Sequence, residues 1–488
     1  MKEKLDKLVG SRFGGYADKF LNSPWYCVTV GVICLLSHFF DIPVVGAAFL
    51  TVLLVASLVF CKNSFTLVPF FLMCAFVMSV NTQPDTGYYN TPLRISVLCI
   101  LLVFAAAALV FNLVYYGKWK KIFKRAYFTF SLCMLTVVLL MGGMGTEWYT
   151  FSGAATAASI GLATFLPYSL LVNCGEYNGR KSIEYFAWAV IVAALVIGAD
   201  FARQYVVHDL GFHPDAAAIK DSLKLGFVGP NTGSAIATIA IPLTFYLVYT
   251  YRRGFLFVPL ICLELFIIVM AVSRASFVVA APGTFIVAVV LCFKKKNGRL
   301  GYWIAFGIVC VAVFAICIVL RHELADIIKN LFAGNTTGSG RTTLWKDGYS
   351  AWKSFPVFGI GIWFLRMNEH WFYSFHCTPL TYLFCAGVFG LMAYIYHRYK
   401  TVRVMFSARL TKERVFIALT VLAMLCNALL DIAMTSPTHL LYYAVMLALI
   451  ECDIKNIKAS SGEQADASQA PVDENKNLDV NEKISIGE

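Results

Sequence analysis

The sequence is poor in charge. Only 14% of its 488 residues are Asp, Glu, Lys or Arg, whereas 59% are hydrophobic. Soluble domains carry about 25% charged residues, because the surface around a core has to be polar. The deficit excludes an ordinary soluble enzyme and predicts an all-α, polytopic transmembrane bundle of about 12–14 helices. The net charge of +12 is then attributed to the flanks of membrane spans, and we expect no nucleic-acid partner.

Several catalytic and metal-binding motifs are also missing. The chain has no Walker loop, dinucleotide fingerprint, HExxH, GxSxG, DxD or CxxC. Most of the fifteen cysteines lie inside apolar runs, where cysteine is usually a small buried hydrophobe. We therefore expect no disulfide framework, no metal and no cofactor. The polar start from Met1 to Lys19 predicts that there is no cleavable signal peptide.

Apolar runs of the length that one helix needs to cross a ~30 Å hydrocarbon core recur along the chain. An even number of spans puts both termini on the same side. The spans at 44–61, 184–200 and 438–451 are also compatible with merged or re-entrant segments. The fourteen predicted spans are 24–41, 44–61, 65–81, 95–116, 127–144, 154–174, 184–200, 230–250, 254–272, 275–293, 301–320, 376–396, 415–431 and 438–451.

The connections between these spans alternate in charge. The short odd-numbered connections carry little charge, and 82–93 contains no Lys or Arg, whereas even-numbered ones such as 397–414 are basic. By the positive-inside rule, the N-terminal residues 1–23 and the tail 454–488 are cytoplasmic. The tail is polar and acidic, which predicts disorder. The two long connections, 201–229 and 321–375, are then external, and long connections often carry function.

Arg341 lies in the second of these external loops. The segment around it predicts a short amphipathic helix, with Ser339 as its cap and Pro356 after its end. Arg341 falls in the first turn, where free backbone N–H groups and the helix dipole favour an anion. Its guanidinium adds a bidentate fork suited to phosphate oxygens, either of a substrate or of a lipid headgroup. Trp345 lies one turn later and could support the site.

Two further external residues fit the same kind of chemistry. Arg274 lies in a connection of a few residues between two spans, where an arginine is either functional or reaches harmlessly to the headgroups. His376 closes the long loop at the mouth of the next span and could accept a proton near neutral pH. A lone histidine is usually structural, and His370 is an alternative base that spacing does not exclude.

Three polar residues could support the site or serve packing only. Glu264 lies mid-span, about ten residues or ~15 Å of helix from Arg274, and structural pairing is the favoured interpretation. Asn427 is expected to hydrogen-bond between helices. Asn231 opens the span at 230 and could either cap that helix or line the site.

Taken in order, these residues resemble the O-antigen ligase and O-antigen polymerase superfamily of integral-membrane glycosyltransferases. The resemblance covers about 160–190 residues of the second half, and the earlier spans match only as a stack of helices. The set that carries it is Pro230-Asn231, Ser273-Arg274, Ser339-Gly340-Arg341 with Trp345, Pro356 to Gly361, and His376 before a span containing Gly387 and Gly390.

The resemblance implies a GT-C-like fold with a large external loop over a membrane cavity. It implies metal-independent, inverting transfer of an undecaprenyl-diphosphate-linked glycan to a glycan, lipid or protein acceptor, outside the bacterial cytoplasmic membrane. Arg274 and Arg341 match the family's lipid-diphosphate-binding arginines, and His376 matches its proposed catalytic histidine. Family members often have a polar residue after this histidine, whereas this chain has Cys377.

Two other classes of protein remain as alternatives to a glycosyltransferase. A glycolipid flippase or small-anion transporter would suit the number of spans, but the chain shows no inverted repeat and no matching pair of broken helices. A membrane scaffold would need none of the external residues. The sequence therefore favours an enzyme, and leaves open whether it polymerises or ligates.

Overall fold

The computed structural model of the chain describes residues 6–7, 9–77, 92–147, 149–210, 219, 222–223, 225–226, 228–294, 299–319, 321–322, 341–362, 375–431 and 436–468. In these residues the chain is helical, and a single isolated bridge joins Leu225 and Val228. The predicted all-α class is confirmed.

Sixteen helices of ten residues or more organise the described part of the chain, with a single extra turn at Trp119–Ile122. They are α1 (Arg12–Leu21), α2 (Pro24–Phe39), α3 (Pro43–Phe60), α4 (Ser64–Phe76), α5 (Pro92–Tyr115), α6 (Thr129–Met141), α7 (Phe151–Cys174), α8 (Arg180–Val207), α9 (Pro230–Thr250), α10 (Gly254–Met270), α11 (Arg274–Lys294), α12 (Arg299–Val319), α13 (Arg341–Ser354), α14 (Thr378–Met405), α15 (Lys412–Leu430) and α16 (Pro437–Ser468).

Nine of the described helices are long and apolar enough to cross a membrane. A tenth is counted if α1 and α2, which meet at a bend of 73°, form one span. The polytopic transmembrane bundle is therefore confirmed. The nine are α3, α5, α7, α8, α9, α11, α12, α14 and α15.

The predicted count of fourteen full spans is higher than this number. The apolar runs at 65–81, 127–144 and 254–272 do contain helices, but α4, α6 and α10 have only 10–17 residues each. Thirteen residues of α-helix extend about 20 Å, short of the ~30 Å hydrocarbon core. Part of two of these runs forms 3₁₀ turns, at Ser64–Leu67 and Gly254–Phe257, so apolar length overestimates helix length.

Two helices run beyond their predicted ends. Helix α8 continues to Val207, so the first residues of the predicted external loop 201–229 are helical. Helix α16 continues to Ser468, so residues 454–468, for which composition predicts disorder, form a helix instead. In both cases polar side chains follow the apolar run without a proline, and hydropathy alone does not mark the helix end.

Helix α9 lies at the centre of the bundle. Of its most apolar stretch 89% is buried, against 17% for α5 at the periphery. In a membrane, close packing of helices depends on small residues, because lipid is as apolar as a leucine side chain. At Gly233 a Cβ atom would touch Ile197 and Phe201 of α8. Small residues at the start of α9 therefore bring the helices close together below the external surface.

A break in α14 attaches the turn that follows α13 to the bundle. Gly387 has a φ of +70°, and a Cβ there would collide with the carbonyl of Val357. The turn that follows α13, residues 356–361, satisfies the opened backbone: the N–H of Ile360 donates to the carbonyl of Phe384 at 2.8 Å, and that of Gly361 to the carbonyl of Cys385 at 2.9 Å. Helix α13 is thereby held over the N-terminal end of α14.

Candidate active site

His376 immediately precedes α14 and faces an acidic partner. Its φ is +44°, an uncommon conformation for a residue with a side chain. Its Nδ1 lies 2.9 Å from Oδ1 of Asp431, the residue at the C-terminal end of α15. The histidine side chain is 27% exposed and the Asp431 side chain only 7%. A carboxylate at Nδ1 favours the proton on that nitrogen, which leaves Nε2 to accept one.

Asp431 is held in place by its neighbours. The hydroxyl of Thr378, in the first turn of α14, donates to the backbone carbonyl of Asp431 at 3.3 Å. Asn427 lies one turn earlier on α15, and its Nδ2 donates to Oγ of Ser276 at 2.9 Å. The backbone of Asp431 is thus tied to α14, and α15 is tied to α11 one turn earlier, while the carboxylate contacts the ring of His376.

Arg341 is the first residue of α13 and approaches the same pair. One of its Nη atoms donates to the carbonyl of Leu430, directly before Asp431, at 2.8 Å. One turn later, Nε1 of Trp345 donates to the carbonyl of Phe375, directly before His376, at 2.6 Å. The predicted helix therefore exists, and its first two turns are bonded to the residues that directly precede Asp431 and His376. Trp345 acts here as an anchor for α13.

Arg274 is the first residue of α11 and is exposed. Helix α10 ends at Met270, so the predicted short connection is correct. Two residues further along, Oγ of Ser276 lies 2.9 Å from Oγ of Ser234 in α9 and accepts the bond from Asn427. These contacts bring the N-termini of α9 and α11 to the C-terminal end of α15. Arg274 and Asp431 therefore belong to the same end of the bundle.

Asn231 and Glu264 have different surroundings. Asn231 is the second residue of α9, whose N-cap is Gly229, so the capping role is not observed. Its backbone carbonyl accepts a hydrogen bond from Ser234 at 2.9 Å. Glu264 is fully buried in the middle of α10, and its Oε1 accepts from the hydroxyl of Thr244 in α9 at 2.6 Å. Glu264 belongs to the α9–α10 contact and does not join the external pair.

His370, Ser339 and Gly340 lie outside the described residues. The sequence-based reasoning missed Asp431. The sequence does contain a signal for this residue. Asp431 is a charged residue at the predicted external end of a span, and Arg274 is singled out because it occupies the same kind of position. Among the described residues, no group of three or more His, Cys, Asp or Glu is arranged to hold a metal ion.

The described site therefore combines a histidine that faces a carboxylate with two arginines at helix N-termini. Residues 259–395 of the chain match the sequence model of the O-antigen ligase family. The matched segment runs from α10 into α14 and contains Arg274, Arg341 and His376, while Asn231 and Asp431 lie outside it. No curated protein matches the chain. The match at residues 259–395 agrees with the resemblance to the O-antigen ligase and polymerase superfamily that the sequence carries.

Proposed function

We propose that this chain transfers or polymerises undecaprenyl-diphosphate-linked oligosaccharide at the external face of the bacterial cytoplasmic membrane. The observation that carries the proposal is the His376–Asp431 pair at 2.9 Å, with Arg341 bonded to the residue next to Asp431. A proton acceptor and a phosphate-binding cation, from the starts of α14 and α13, thereby meet at the C-terminal end of α15.

The donor diphosphate would be held by Arg274 and Arg341. Each is the first residue of its helix, α11 and α13, where backbone N–H groups and the helix dipole favour an anion. A guanidinium has five N–H donors, and the bond to Leu430 uses one of those on Arg341. The remaining donors fit the oxygens of a diphosphate.

His376 would act as the general base. Its Nε2 accepts the proton of an acceptor hydroxyl, and the hydroxyl oxygen attacks the anomeric carbon of the donor sugar. The bond from that carbon to the diphosphate oxygen breaks, and the lipid diphosphate leaves as an anion beside the arginines. A single displacement of this kind inverts the anomeric centre. Asp431 stabilises the imidazolium and holds its orientation, and is a positioning residue.

Cationic side chains suffice for this charge stabilisation, so we propose that transfer needs no metal. The distribution of charge supports the external placement. The site lies at the ends of helices opposite the basic segments 117–126 and 397–414, and basic segments that flank membrane spans are usually cytoplasmic. The termini would then be cytoplasmic.

Reconstitution into liposomes with an undecaprenyl-diphosphate oligosaccharide tests the function. Mass analysis of the products should show glycans that have become longer on lipid diphosphate, for a polymerase, or attached to a new acceptor, for a ligase. Donor that is unchanged but has moved between leaflets would contradict the proposal and indicate a flippase.

A further inference from the structure

A long apolar groove runs along the lipid-facing side of the bundle between α6 and α14. Its volume is about 560 Å³. One wall is a single face of α6, on which Phe130, Met134, Val138 and Met141 recur at helical spacing. The other wall is α14 below its break at Gly387, and it includes Met392. The groove is open to the membrane, since the Met392 side chain is 58% exposed.

The dimensions fit a single hydrocarbon chain. From Phe130 to Met141 is eleven residues of helix, or about 16 Å, which is half the thickness of the hydrocarbon core. A cavity of about 150 Å³ holds benzene, so 560 Å³ holds roughly twenty carbon atoms. Twenty carbons along 16 Å correspond to the first part of one isoprenoid chain. Several acyl chains side by side, as in a large glycolipid, would not fit.

The groove and the diphosphate site lie at opposite ends of α13. Arg341 begins this helix, and fourteen residues of helix put about 20 Å between its two ends. The turn after α13 forms the outer rim of the groove through Phe358, whose carbonyl accepts a hydrogen bond from Gly143 at the end of α6 at 3.0 Å. Trp345 and its bond to Phe375, next to His376, lie between the two ends.

This separation bears on which lipid occupies the groove. The hydrocarbon chain of the donor starts at the diphosphate, so a donor held at Arg341 has its chain on the α15 side of α14. In an inverting displacement, the acceptor hydroxyl reaches the anomeric carbon from the side opposite the departing diphosphate. Donor and acceptor therefore approach His376 from different sides, and the groove lies on the side away from Arg341.

We propose that the groove between α6 and α14 binds the isoprenoid chain of the acceptor, a second lipid-linked glycan, so that the enzyme acts as a polymerase. The proposal rests on the function proposed above and adds its acceptor. The isoprenoid chain moves from lipid into a groove that is equally apolar. Its binding free energy therefore comes from close packing and not from the removal of water. The groove aligns the acceptor, and obstructing it weakens acceptor binding without touching the residues that perform the transfer.

The test uses substrates that can act in only one role. The donor is an undecaprenyl-diphosphate oligosaccharide whose terminal hydroxyl is blocked, so it cannot accept. The acceptor carries the same glycan on a non-hydrolysable phosphonate, so it cannot donate. It is made in two forms, a long-chain acceptor with an undecaprenyl chain and a short-chain acceptor with a two-isoprene chain. Met392→Trp fills the groove. Ile395→Trp is the matched control, since Ile395 is 57% exposed on the same helix and lies outside the groove lining.

We expect Met392→Trp to raise the KM for the long-chain acceptor about tenfold, as overpacking of a well-filled site does. The KM values of Met392→Trp for the short-chain acceptor and for the donor should equal those of the wild type. Ile395→Trp should leave the KM values for both acceptors and for the donor unchanged. Val138→Trp, on the opposite wall, should reproduce the effect, with the lipid-facing Val137→Trp as its control.

Three results would overturn the inference. The long-chain acceptor could bind Met392→Trp as well as it binds the wild type, the donor KM could rise in place of the acceptor KM, or a glycan without lipid could serve as acceptor with an equal KM. Each of these leaves the glycosyltransferase function intact. Failure of the wild type to transfer from any lipid-diphosphate donor would instead contradict the proposed function itself.

Discussion

At the scale of single residues, the site depends on the pairing of His376 with a buried carboxylate. The sequence alone indicates Arg341, Trp345 and His376 as candidates, because each falls in a predicted external segment and because an arginine suits a phosphate and a histidine suits a proton. Asp431 could not be paired with His376 in advance, since they are separated by two transmembrane helices and their contact depends on how α14 and α15 pack. Sequence spacing indicates depth in the membrane but not which helix ends meet.

Asp431→Asn should lower kcat by about 10²-fold, within the range expected for general-base catalysis, and leave the KM for the lipid-diphosphate donor unchanged. The amide keeps the shape and can still accept from Nδ1–H, but it cannot stabilise the imidazolium by charge. Asp347→Asn, an exposed acid on α13, is the control and should behave as wild type. Steady-state kinetics in liposomes separates the two constants. A kcat equal to that of the wild type would remove Asp431 from the mechanism.

His376→Ala should reduce turnover by about 10²–10⁴-fold, because the acceptor hydroxyl then loses its proton acceptor. His370→Ala provides the comparison, since it is the alternative base in the same external loop. Single-turnover assays with a saturating donor report the chemical step for both variants. If His370→Ala lost more turnover than His376→Ala, the base would be His370.

Replacing either arginine should weaken donor binding. A hydrogen bond to a charged group contributes about 1.5–3 kcal/mol, so Arg274→Ala and Arg341→Ala should each raise the donor KM at least tenfold while membrane insertion stays normal. Arg341→Lys retains charge but loses the bidentate fork, and should fall between the wild type and Arg341→Ala. Lys346→Ala, an exposed cation on α13, is the control. Glycans of normal length and amount in the alanine variants would contradict the diphosphate role.

At the scale of elements, the break in α14 couples the external loop to the bundle. The amphipathic helix α13 could be predicted from its apolar spacing and the following proline. The break could not, because Gly387 lies in an apolar run that looks like any other span. What fixes the break is the turn at 356–361, whose N–H groups bond to the carbonyls that the break exposes.

Gly387→Ala should lower the free energy of unfolding by about 1–3 kcal/mol, because a side chain is strained at its φ of +70° and would collide with Val357. Displacement of the turn would also move α13 and Trp345, so activity should fall with stability. Gly283→Ala is the matched control, since this mid-helix glycine has open space around its Cβ position. Thermal unfolding in detergent compares the two. Equal melting temperatures would show that the break does not require glycine.

At the scale of the whole molecule, the distribution of charge predicts on which side of the membrane the site lies. Composition was sufficient to establish a polytopic helical bundle, whereas the number of full spans could not be counted from apolar length, because α4, α6 and α10 are short. The predicted side of the site does not depend on the number of spans. It depends only on the end of the bundle at which the basic segments 117–126 and 397–414 lie. Arg341 and His376 lie at the opposite end.

Labelling of substituted cysteines in intact spheroplasts tests this placement. Ser350→Cys, on an exposed position of α13, should react with a membrane-impermeant maleimide above the background of the native cysteines, because the loop faces outward. Lys120→Cys, in a basic connection, should react only after permeabilisation. Donor glycans presented on the outer leaflet reach Arg341 and His376 only in this orientation. The reverse labelling pattern would place the histidine–aspartate pair in the cytosol and separate it from any externally presented glycan.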